Sequence, residues 1–125
     1  MKTVNTDKAP AAIGPYSQAI ISGGLVFTSG QIPVDPATGV IAGETIVEQA
    51  KQVMANLQVV LAAAGTAPER TVKTTCFLAD MADFAAFNEI YAQTFTSKPA
   101  RSCVAVRTLP KGVLCEVEVI AEVED

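Results

Sequence analysis

The chain has 125 residues, half of them apolar and 18% charged, with a formal net charge of −4 at pH 7. This length suits one domain, expected over residues 1–125, and the composition excludes a disordered chain. No basic block is present, which argues against a nucleic-acid surface, and histidine is absent, which removes Ser-His and Cys-His nucleophiles.

The elements read as follows in chain order. Ser17 to Ile21 and Leu25 to Ser29 form two strands joined by a hairpin turn at Ser22-Gly23-Gly24. Gln31 to Gly43 is a Pro- and Gly-rich loop that turns back on itself at Asp35-Pro36 and Thr38-Gly39. Thr45, with Glu48 three residues on, is a capping box opening a helix. Its apolar positions Ile46, Ala50, Val53, Leu57, Val60, Leu61 and Ala64 recur at helical spacing, and Gly65 ends it. Thr71 to Ala79 is β-branched and alternating, a strand. Asp80 caps a second helix to about Phe95, with a stripe of Phe84, Phe87, Tyr91 and Phe95. Two strands follow, Arg101 to Val106 and Val113 to Glu122, separated by a turn at Pro110-Lys111-Gly112.

The order ββαβαββ describes an α+β fold with one sheet and two helices. Two helices cover one sheet face. The last strand nevertheless carries Leu114 and Ile120 on the face opposite Val113, Cys115, Val117 and Val119. A sheet with apolar character on both faces calls for a second cover, either another subunit or the long loop.

No apolar run reaches membrane-spanning length, and no signal-peptide pattern opens the chain. Cys76, Cys103 and Cys115 are an odd set without metal-ligand spacing, which suits reduced thiols and a cytoplasmic location. Acid-base chemistry falls to Glu, Asp, Tyr, Lys or Cys, and neither a metal nor a cofactor motif is apparent.

The segment Pro99-Ala100-Arg101-Ser102-Cys103-Val104 puts an arginine at the start of a strand. A guanidinium grips a carboxylate with two parallel hydrogen bonds, whereas the alternative for Arg101 is an ordinary cross-strand salt bridge. If the next strand pairs antiparallel with this one, a suitable register puts Glu116 on the Arg101 face, to hold a water beside a bound carboxylate. Asn88 lies in the second helix's stripe, and a helix-to-loop hydrogen bond is the plainer reading for it. Tyr16 precedes the first strand, where a core or interface tyrosine is common. Ser29 and Gly30 end a strand with small residues that let a ligand approach the backbone. Cys103 reads as a small apolar residue.

Three segments, Ala11-Ala12-Ile13-Gly14-Pro15-Tyr16-Ser17-Gln18, Thr28-Ser29-Gly30-Gln31-Ile32-Pro33 and Pro99 to Val104, resemble the Rid (YjgF-type) family, and within it the RidA subgroup of 2-iminobutanoate/2-iminopropanoate deaminases. The resemblance implies a chorismate-mutase-like (ferredoxin-like) fold, a single sheet covered by two helices on one face. It implies a homotrimer with clefts between subunits. The implied reaction is cofactor-independent hydrolysis of 2-imino acids to 2-oxo acids and ammonia. It assigns the substrate carboxylate to Arg101, the water-holding acid to Glu116, and pocket or support roles to Tyr16, Ser29, Gly30, Asn88 and Cys103. The other readings are a non-catalytic binder of small carboxylates, and the RNA-cleaving or chaperone roles attributed to relatives. The charge makes RNA cleavage the poorest of these on physical grounds.

Overall fold

A computed structural model describes residues 1–124; Asp125, the last residue of the expected domain, lies outside the described residues. The elements are β1 (Lys2–Val4), β2 (Ala19–Ser22), β3 (Leu25–Thr28), α1 (Ile46–Ala63), β4 (Thr71–Leu78), α2 (Phe84–Thr94), β5 (Ala100–Ala105) and β6 (Cys115–Glu122). β1 is an addition to the order read from the sequence, because three residues carry too little alternation to show.

The capping box at Thr45 is formed. The Thr45 hydroxyl accepts from the Glu48 N–H at 3.2 Å, and the Glu48 carboxylate accepts from the Thr45 N–H at 3.3 Å. Gly65 follows α1 at φ 84°, a left-handed turn that glycine makes without a Cβ clash. Asp80 caps too, but it caps a short 3₁₀ turn, Met81–Asp83, ahead of α2.

One mixed sheet runs in the order β1-β2-β3-β6-β4-β5. Every neighbouring pair is antiparallel except β4 and β5, which are parallel. The helix between those two strands explains the exception, since a strand-helix-strand crossover returns the chain in the same direction. β6 then pairs with β4 on its other side, so the expected β5–β6 pair does not form.

That changes which residues share a face. Arg101 lies across from Thr74, and Thr74 from Val119, on the side the helices cover. Glu116 lies across from Phe77, and Phe77 from Val104, on the other side. The expected placement of Arg101 and Glu116 on one face is therefore corrected: within one chain they project from opposite faces.

Between sheet and helices sits the core, with Val26, Val53, Leu57, Val60, Leu61, Leu78, Phe87, Val117 and Ala121 among its buried residues. The open face carries Phe27 and Val104, 41% and 47% exposed. The loop after β3 is tied to α1 from beneath. The Asn56 side chain, 1% exposed, donates to the Ile32 and Val34 carbonyls at 3.1 and 2.9 Å. No helix among the described residues is long and apolar enough to cross a membrane.

Candidate functional site

The sequence-derived residues fall into two separate groups. The first surrounds Arg101 on edge strand β5. Its Nη1 donates to Asn88 Oδ1 at 2.7 Å, and its Cζ stands 4.8 Å from the Tyr91 ring centre and 5.4 Å from that of Phe84. Among the described residues the one ion pair joins Arg70 and Glu124, so the salt-bridge alternative for Arg101 is not realised within the chain. Asn88, too, departs from the plainer reading: its amide oxygen serves the arginine and not a loop backbone. Asn88, Tyr91, Lys98 and Arg101 line a cavity of about 300 Å³. One N–H of the guanidinium is engaged by Asn88, which leaves enough donors for a two-pronged carboxylate contact.

Cys103 sits on β5 two residues beyond Arg101, in register with Cys76 of β4. Burial raises both thiols, that of Cys76 to about 12, with Cys103 beside it adding to the rise. Neither is primed as a nucleophile, in keeping with the apolar reading of Cys103.

The second group gathers around Glu116 on the open face. A Cβ built on Gly30 would overlap Glu116 Oε2 and meet its Cδ and Cγ at 2.9 and 3.1 Å. Position 30 is thus glycine for space, and the carboxylate occupies that space. Burial raises the Glu116 carboxyl above the ordinary carboxylate range, and the Glu118 charge raises it further. Arg101, on the other face, does not offset the rise.

Ser29 supports this corner, its hydroxyl donating to the Ser17 carbonyl at 2.5 Å and its N–H to the Gln18 carbonyl at 2.9 Å. Tyr16 is 54% exposed, so the core reading does not hold, and its hydroxyl accepts from the Ile13 N–H at 3.3 Å. Ile13, Tyr16, Gly30, Ile32, Val34 and Lys111 help line a second cavity of about 550 Å³. Sequence reasoning missed the residue that holds the N-terminal segment there. Gln18, 2% exposed, accepts from the Thr6 N–H and donates to the Thr6 and Pro10 carbonyls. A lone glutamine at a strand entrance carries no spacing signal that would have found it.

Residues 6–123 match the family described as Endoribonuclease L-PSP. A RutC family protein of Synechocystis is 56% identical over 124 residues, covering 97% of this chain and 95% of that one. A protein of Salmonella typhimurium named 2-iminobutanoate/2-iminopropanoate deaminase is 50% identical, covering 96% of each. The chain belongs to the Rid (L-PSP) family. The crystal structure of E. coli TdcF with bound serine superposes on it with a TM-score of 0.93 at 44% identity, covering 99% of this chain and all of that one. The single mixed sheet with two helices is the fold this Rid protein shares with it.

Proposed function

We propose that this Rid protein is a member of the RidA subgroup that hydrolyses 2-imino acids, such as 2-iminopropanoate and 2-iminobutanoate, to 2-oxo acids and ammonia. The observation that carries the reading is Arg101: a guanidinium held at an open cavity with no carboxylate paired to it among the described residues. The deaminase name of the Salmonella relative and the amino acid named in the TdcF structure point to the same small, carboxylate-bearing ligands.

In this reading Arg101 binds the substrate carboxylate by two parallel hydrogen bonds. Glu116 holds a water and takes its proton as the oxygen attacks the imine carbon. That proton passes to the nitrogen, giving a carbinolamine; the carboxylate then takes the hydroxyl proton and hands it to the nitrogen as the carbon–nitrogen bond breaks, so ammonia leaves and the carbonyl forms. A carboxyl raised by burial exchanges protons nearer neutrality than an exposed one, which suits this shuttle. The intrinsic reaction is easy, so orientation and a proton carrier suffice.

One chain presents Arg101 and Glu116 on opposite faces, so a substrate that touches both needs a second copy. A homotrimer with clefts between subunits meets that need, and it also covers the exposed Phe27 and Val104. Coupling the protein to a threonine dehydratase tests the reaction. Accelerated appearance of 2-oxobutanoate is expected. Tight binding of 2-oxobutanoate without any acceleration would leave a carboxylate sensor in its place.

A further inference from the structure

Phe84, Asn88 and Tyr91 follow one another at helical spacing, so α2 turns all three to one side. That side meets Arg101. The two rings lie 5.4 and 4.8 Å from Cζ, and the amide oxygen between them accepts from Nη1 at 2.7 Å. Each contact fixes something different. A ring face attracts the flat cation and limits its tilt. The amide oxygen fixes rotation within the plane.

Tyr91 is itself held. Its hydroxyl shares a 2.7 Å hydrogen bond with the hydroxyl of Thr74, which is fully buried. Thr74 is also the register partner of Arg101 on β4. Arg101, Tyr91 and Thr74 thus close a loop from strand to helix and back to the neighbouring strand. Burial keeps the tyrosine hydroxyl protonated, so it can go on donating or accepting in that bond.

We propose that Phe84, Asn88 and Tyr91 are positioning residues that fix the plane of the Arg101 guanidinium before a ligand arrives, with Thr74 as the latch of Tyr91. The inference rests on the reading of Arg101 as the carboxylate-binding group. A long, rotamer-rich arm normally loses freedom when it binds; here that loss occurs on folding. The cradle also restricts the position to arginine. A lysine ammonium offers no plane to lie between the rings and no second prong for the carboxylate.

The test uses 2-oxobutanoate as ligand in titration calorimetry, with KM and kcat for 2-iminobutanoate measured alongside. Arg101→Ala should abolish 2-oxobutanoate binding. Tyr91→Leu should weaken binding and raise KM by about tenfold, with kcat within about twofold, since the lost interaction is present in ground and transition states alike. Tyr91→Phe keeps the ring and should recover most of the affinity, with Thr74→Val behaving like it. Asn88→Ala should show the same split between KM and kcat. Nitrogen-15 spectra of the wild-type protein supply a readout that needs no variant: the Arg101 Nη resonances should be separated by slow rotation. Loss of binding in Arg101→Ala alongside wild-type affinity in Tyr91→Leu and Asn88→Ala would overturn the cradle and leave the carboxylate role intact. Undiminished binding in Arg101→Ala would overturn both. Freely averaging Arg101 resonances would overturn the cradle even if Tyr91→Leu fails to fold.

Discussion

The two faces of the sheet use charge in opposite ways. On the helix side Arg101 is surrounded by partners that suit a cation: two ring faces and an amide oxygen. On the open side Glu116 has partners that disfavour an anion: burial, and a second acid, Glu118. The cation is held in place by its neighbours, and the acid is pushed toward its neutral form. A group meant to hold an ion benefits from the first arrangement, and a group meant to pass protons from the second. The same backbone supplies both because side chains alternate along each strand.

The sharpest way to break this contrast is at Arg101. In Arg101→Ala and Arg101→Lys, imine hydrolysis is expected to fall to the background rate while the fold survives, as a coupled 2-oxobutanoate assay and circular dichroism would show. Near-normal turnover in Arg101→Lys would mean that charge alone suffices. Glu116→Gln should slow turnover by about 10²–10⁴-fold while 2-oxobutanoate still binds.

Mixing the two inactive variants tests whether the faces cooperate between copies. Refolding Arg101→Ala together with Glu116→Gln should restore part of the activity, because in the proposed trimer about one site in three of each mixed assembly joins an intact Arg101 to an intact Glu116. No recovery, with mixed oligomers shown to form, would place both residues in one subunit's site.

Gly30→Ala offers a subtler perturbation of the open face. The new methyl displaces the Glu116 carboxylate, whose end is flexible, so the protein should fold and lose activity less completely than Glu116→Gln.

Stability against pH gives the smallest effect, and its sign is fixed. Glu116 binds its proton more tightly folded than unfolded, so stability falls as pH rises from the ordinary carboxylate value through the raised folded value. In denaturant titrations Glu116→Gln should remove that decline. A decline that persists unchanged would assign it to another group.

Much of this contrast was legible in the sequence, up to one step. Periodicity placed both helices to within a few residues, and the Thr45 to Glu48 spacing located a cap that formed as read. Arg101 and Glu116 were singled out as candidates but assigned to the wrong mutual geometry. The error lay in pairing consecutive strands β5 and β6. The correct signal was present: a helix stands between β4 and β5, and a helical crossover makes its two strands parallel. Applied to Thr71–Leu78 and Ala100–Ala105, that rule leaves β6 to pair elsewhere. Asn88 was misread for a related reason. The stripe of α2 was visible in the sequence, but what it faces depends on which strand runs beneath it. Gln18 and Asn56 lay beyond the sequence, since a single amide's partner is set by tertiary approach and not by spacing.

Asn56 has a kinetic consequence. The wall between Gln31 and Gly43 contains neither helix nor named strand, yet two of its carbonyls hang on one buried amide. Swinging that wall open means breaking both bonds and stranding the amide in the interior. Such an event belongs with partial unfolding, not with the nanosecond flutter of surface loops. The wall of the larger cavity therefore takes its shape on folding and keeps it afterwards.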